Sequence, residues 1–209
     1  RGVYSFCMCP GGLIVPAATS PGEIVVNGMS LSRRDSPYAN SGVVTAVELE
    51  DMKPYNAAGA LMGVALQREV EQKMFSVGNG SQAAPAQRLT DFLAKKVSLD
   101  IPESSYIPGL FSAPLHELLP AWIYDRLAYG IRGFDHKMKG YVDAEAVVVA
   151  TESRTSSPVR VPRTPDGMHV EIEGLFPCGE GAGYAGGILS AAMDGQFIAR
   201  AVKNYIQSK

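Results

Sequence analysis

The chain has 209 residues, long enough to bury a substantial core as one large or two small domains. Apolar residues are 46%, charged residues 19% and the formal net charge is −2, an ordinary globular composition. No Lys/Arg block predicts nucleic acid or an acidic membrane surface as a partner, and the longest strongly apolar run, residues 144–150, is too short to cross a bilayer and contains Glu145. The reading is a soluble protein.

In chain order, residues 4–49 carry β-prone runs at 4–9, 13–17, 23–27 and 43–49, separated by Pro10-Gly11-Gly12 and Pro21-Gly22. This predicts a β-meander or part of a barrel. From 57 to 75 the apolar residues Ala60, Leu61, Val64, Ala65, Val70 and Met74 follow helical spacing. A polar loop at 76–85 leads to a second predicted helix at 86–96, and a third spans 115–129 with Pro120 as a kink or first-turn residue. The β signal returns at 144–151, 159–162 and 169–173, and the chain closes with a predicted strand, a glycine turn and the amphipathic segment 189–206. The expected class is mixed α+β or α/β. The expected organisation is a β-rich part of a substrate domain at 1–52, a helical insert at 53–140, return strands at 141–173, and a terminal strand-turn-helix at 174–209.

That closing segment carries the strongest chemical signal. Gly181, Gly183 and Gly186 satisfy G-x-G-x-x-G, and residues 179–187 hold five glycines in nine positions. Glycines of this kind let backbone approach a ligand, and N–H groups around Gly186, Gly187 and Ile188 at a helix start suit a phosphate or an electron-rich ring edge. A tightly packed turn without ligand is the competing reading; the glycine density favours ligand approach. Only about twenty residues follow Gly187, all helical in pattern, so the strand that carries the acidic ribose ligand of a βαβ unit is not among them.

Four stretches carry a resemblance: Tyr4 to Gly12, Asn27 to Ser30, Glu152 to Arg160, and Phe176 to Ile188. Together they look like the C-terminal half of a bacterial family of uncharacterised FAD-dependent dehydrogenases, and the likeness covers nearly the whole chain. The resemblance implies FAD as cofactor of the full-length protein, with Gly179, Glu180, Gly181, Ala185, Gly186, Gly187 and Ile188 as flavin-contacting residues. It implies that the terminal strand and helix complete a three-layer FAD/NAD(P)-binding fold, whose N-terminal half would supply the βαβ motif and acidic ribose ligand and act as the missing partner. Amide hydrogens at the helix start would then stabilise negative charge on the reduced flavin near N1 and O2. Glu180 would accept hydrogen bonds from a ribityl hydroxyl or nearby backbone.

Arg154, among Thr155, Ser156 and Ser157, and Arg34, next to Arg33, are candidates for orienting a small anionic substrate. Surface turns are the alternative for both. Cys7, Cys9 and Cys178 are read as small buried hydrophobes rather than a metal or redox site, because His116, His136 and His169 are scattered and no second Cys pair exists. Three cysteines without a disulfide framework suit a reducing, cytoplasmic compartment. The opening at Arg1, without an initiator Met or signal-peptide pattern, suggests a piece of a longer protein. The function expected is therefore a fragment of an FAD-dependent oxidoreductase, inactive by itself and acting on an unknown small molecule. The alternative is a non-catalytic binding or assembly module with a purely structural glycine turn.

Overall fold

A computed structural model of the chain describes residues 2–209. The fold is mixed α/β and its described residues divide into two compact units, those up to Asp51 with 67–153, and 52–66 with 154–209.

In the first unit, β1 (Val3–Pro10) pairs antiparallel with β4 (Ala39–Thr45), and β2 (Gly12–Pro16) pairs antiparallel with β3 (Val26–Ser30). These are nested pairs, whereas a meander would bond each strand to its successor. The turn between β1 and β2 explains part of this. Gly11 has φ +64°, and a Cβ there would stand 2.1 Å from the Arg34 carbonyl oxygen, so the loop before β4 packs directly on the turn and only glycine fits. The register between β1 and β4 shifts between Phe6 and Cys9, where Cys7 takes φ 47°. That combination marks a β-bulge.

The apolar run predicted as a strand at 23–27 is instead a core crossing. Ile24 and Val25 are buried, Ile24 N–H donates to Glu71 O and Val26 N–H to Thr151 O, and the ladder begins only at Val26. The helix predicted at 57–75 is also redistributed. Residues Leu49–Leu61 form a 3-10 segment containing Pro54 and broken at Gly59 (φ 55°, ψ −126°), and α1 runs Met62–Ser76. Proline removes a helix donor and the glycine leaves helical φ/ψ, so regular α-helix starts after both.

The clearest correction is at 86–96. Residues Ala84–Arg88 form β5, the centre of a three-stranded sheet with β6 (Leu110–Ser112) parallel on one side and β7 (Val147–Val149) antiparallel on the other. Ala84 to Gln87 are all buried, and α2 (Leu89–Ala94) begins only after them. Pro85 lacks an N–H but stays paired through its carbonyl, which accepts from Ala150.

The helix predicted over 115–129 divides at Pro120 into α3 (Leu115–Leu118) and α4 (Ala121–Lys137). In α4, Tyr124, Ala128 and Ile131 are buried at successive turns, and the Tyr124 ring meets Phe92 edge-on at 5.0 Å while its hydroxyl donates to Phe92 O. The helix lies close to β1 because of Gly130, where a Cβ would stand 2.4 Å from Val3 Cβ. Phe92, Ile24, Met74 and Leu115 are the largest fully buried apolar side chains. At one edge Arg126 grips Asp51 through two nitrogens, at 2.8 and 2.7 Å, and its guanidinium stacks on Trp122 at 4.4 Å.

The second unit is built from turns and one long helix, α5 (Ile188–Gln207). Strands predicted at 159–162, 169–173 and the closing strand after Gly174 do not form ladders among the described residues; an isolated bridge joins Arg163 and His169. Pro158, Pro162, Pro165 and Pro177 withhold backbone donors along this stretch. Its order comes from scattered backbone hydrogen bonds, such as Val161 N–H to Ala182 O and His169 N–H to Leu175 O, and from side chains: Tyr184 OH donates to Val161 O at 3.0 Å, and the Arg160 and Arg163 guanidinium groups stack on the Tyr184 ring at 4.3 and 3.5 Å. Ala182 and Ile198 are buried. Among the described residues no helix is long and apolar enough to cross a membrane.

Candidate functional site

The glycine block of the second unit is shaped from both ends. At its start, Gly179 (φ +72°) donates its N–H to Asp194 Oδ2 at 2.7 Å. Asp194 also receives both terminal nitrogens of Arg163, at 3.0 and 2.5 Å, and Arg163 donates in addition to Pro177 O. Both ionic side chains are about nine-tenths buried. The Arg163 guanidinium, followed by the Gly179 N–H, holds the Asp194 carboxyl down at about 2 against burial acting the other way.

The middle of the block is a compact turn. Gly183 N–H donates to Glu180 O and Tyr184 N–H to Gly179 O, at 2.9 and 3.0 Å. Gly183 has φ +82° and a Cβ there would stand 2.7 Å from Val159 O, so this position requires glycine. The Ser157 hydroxyl, from the predicted Arg154 cluster, lies beside the turn with Val159 O at 2.7 Å and Gly181 O at 3.1 Å as acceptors for its one proton.

The far end is open. At Gly179, Gly181, Gly186 and Gly187 an added Cβ would meet nothing within 4 Å, and residues 186–190 are exposed. At the start of α5, Gly187 is the N-cap without a side-chain cap. The predicted fan of amides is narrower than expected, because Gly186 N–H is taken by Ser190 Oγ at 3.2 Å. Gly187 and Ile188 N–H have no acceptor among the described residues. They point to what a helix start can hold, a group rich in negative charge. The helix start thus presents bare backbone and free donors suited to an electron-rich group.

Gly179, Glu180 and Gly181 lie on the turn, Ala185, Gly186 and Gly187 on the segment that links it to α5, and Ile188 is the first residue of that helix. Arg154 is exposed in the same unit, and Arg34 is exposed in the first unit, where its φ of 52° serves the turn against Gly11. Of the cysteines expected to be buried, only Cys9 is; Cys7 and Cys178 are exposed. The bulge rotates Cys7 outward, and the absence of a closing strand leaves Cys178 at the surface. Sequence reading passed over Arg163 and Asp194. Their signal was a lone carboxylate on the apolar face of the closing helix, between Ala191 and Ile198.

The profile of the family described as FAD-dependent protein, C-terminal domain-like, matches residues 1–155. The chain belongs to that family. An uncharacterised protein of Clostridium beijerinckii is 45% identical over 201 residues, which is 95% of this chain and 37% of the relative. The chain therefore spans little more than a third of the length of that curated relative. The family match ends before the glycine block, but the alignment with the clostridial protein is long enough to run through it. Dependence on FAD is thus a property of the family, carried in its description.

Proposed function

We propose that the chain is the substrate-side and flavin-facing part of an FAD-dependent oxidoreductase of the dehydrogenase type, with residues 1–173 serving the substrate and 174–209 the cofactor. The reading is carried by one observation: in a member of an FAD-dependent family, the start of α5 presents bare backbone and two unpartnered amides. When bound, FAD supplies acceptance of a hydride or of electrons from a reduced small molecule. Gly187 and Ile188 donate their N–H groups to the electron-rich edge of the ring, favouring the form that carries more negative charge. Glu180 accepts from a hydroxyl of the cofactor's sugar-alcohol chain. Arg163 and Asp194 act at one remove, fixing Gly179 so that the turn holds one shape. Arg34 and Arg154 are the cations proposed to orient the substrate.

The apolar face of α5 supports the same reading. Ile188 and Ile206 are exposed on it, and Leu189 and Met193 are exposed on the neighbouring flank. We propose that polypeptide upstream of this chain covers that face and supplies the strand beside residues 174–178 and the groups that hold the adenosine end. The absorption spectrum of the full-length protein as purified tests the proposal: a flavin band that bleaches with a reductant is expected, and a colourless protein that takes up no FAD refutes it.

A further inference from the structure

The first unit contains a cavity of about 640 Å³, in which Glu152 is the half-buried acidic group. The volume suits a small molecule, since such sites run to roughly 300–1,000 Å³. Much of the wall is aliphatic, including Ile14, Val43, Leu127 and Val148. The charged residues on it are all of one sign: Glu103, Glu145 and Glu152 line the cavity, and no Lys, Arg or His does so among the described residues.

The three carboxylates are not equivalent. Glu145 is turned to Arg88 at 3.4 Å, and Glu103 is exposed to solvent. Glu152 has neither a cation nor a hydrogen-bond donor on its carboxylate among the described residues, and burial raises it above the ordinary carboxylate range. Its Oε2 packs over Gly42, where a Cβ would stand 2.7 Å from it and 2.6 Å from the Phe6 ring. A carboxylate stripped of part of its water and given no counter-charge is a poor contributor to stability and a good receptor for a cation.

We propose that this cavity binds an organic cation, an ammonium group on a largely apolar body, with the ammonium on Glu152 and the body against Ile14, Val43, Leu127 and Val148. An anion of the same shape would meet the unpaired Glu152 carboxylate with no cation on the cavity wall to compensate it, and a neutral body would leave Glu152 unpaired. Every lining residue belongs to the first unit, so the inference goes beyond the flavin reading and does not rest on it.

Equilibrium titration of the full-length protein, followed by heat, with three probes of one shape tests this: tryptamine, 3-propylindole and indole-3-propionate. Tryptamine is expected to bind at least about tenfold tighter than 3-propylindole, and indole-3-propionate weakest of the three. Glu152→Gln is expected to remove that preference while leaving 3-propylindole within about twofold. Carbodiimide coupling of tryptamine to the unmodified protein, mapped by mass spectrometry, provides a readout that needs no variant and is expected on Glu152. Equal binding of tryptamine and 3-propylindole, preference for the acid, no binding of any probe at millimolar concentration, an unchanged preference in Glu152→Gln, or coupling confined to other carboxylates overturns the proposal. Each readout is independent of flavin content, so failure here leaves the oxidoreductase reading to its own spectrum.

Discussion

Arg163 and Asp194 lie 31 residues apart and meet through two charge-assisted hydrogen bonds, and the same carboxylate accepts the Gly179 N–H. This one acid joins the middle of α5 to the first glycine of the turn that precedes it.

The pair predicts an acid limb to stability. The folded Asp194 carboxyl lies at about 2, below its ordinary value of 3.8, so the folded state favours the ionised form. The stabilisation is therefore complete above pH 3.8 and is lost as pH falls from there through about 2. Asp194→Asn leaves Arg163 buried without its counter-charge and is expected to destabilise the second unit by about 3 kcal/mol at neutral pH. Melting temperatures collected between neutral pH and pH 2 should show a flatter acid limb in the variant than in the parent; identical limbs would mean that the pair contributes no pH dependence.

Gly187 separates folding from cofactor binding. As the N-cap of α5 it lacks a side-chain acceptor, so Gly187→Asp supplies both a cap and a favourable charge for the helix dipole and should raise stability by about 0.5 kcal/mol. The same carboxylate would confront the electron-rich edge of a flavin. Full-length Gly187→Asp protein is expected to melt no lower than the parent and to be purified with a smaller flavin-to-protein absorbance ratio. An unchanged ratio would place the ring elsewhere.

Two glycines of α4 should respond in opposite directions to alanine. At Gly130 a Cβ runs into the branched Val3 side chain, and Gly130→Ala is expected to cost about 1–3 kcal/mol by overpacking. At Gly133 the space is empty, and Gly133→Ala is expected to stabilise by about 1 kcal/mol through helix propensity. Urea denaturation of the two variants side by side checks the contact between α4 and β1.

Cys7 is exposed, yet burial of its sulfur, then the charge of Glu152 and then Cys9 push its thiol above the ordinary range. Less thiolate at neutral pH predicts iodoacetamide alkylation slower than that of an unstructured cysteine peptide. Glu152→Gln should speed the reaction at Cys7 and leave Cys178 unaffected, since Glu152 is not among the groups acting on Cys178. Peptide mapping over a series of pH values measures both rates in one digest.

The sequence by itself determined the features that depend on neighbours along the chain. The apolar spacing from Ile188 to Ile206 specified α5, Pro120 divided the helical stretch into α3 and α4, and the glycine density between 179 and 187 marked the turn that the structure leaves bare. Local spacing is enough in such cases because a helix satisfies its own backbone. Tertiary structure decided the rest. Ala86 to Arg88 reads as the beginning of a helix, and Ala84 and Pro85 as the end of a loop, until Leu110–Ser112 and Val147–Val149 arrive on either side to take the backbone groups of this strand. The closing strand after Gly174 has the composition of a strand, but a strand needs a neighbour to hydrogen-bond, and this stretch is held instead by His169 N–H on Leu175 O, Arg163 on Pro177 O and Asp194 on the Gly179 N–H. Asp194 drew no reading from the sequence, and Glu152 appeared there only at the start of a stretch that carried the family resemblance. Each took on a role only when residues far away in the chain fixed what surrounded it, because a carboxylate's charge, hydration and partners are properties of the space around it.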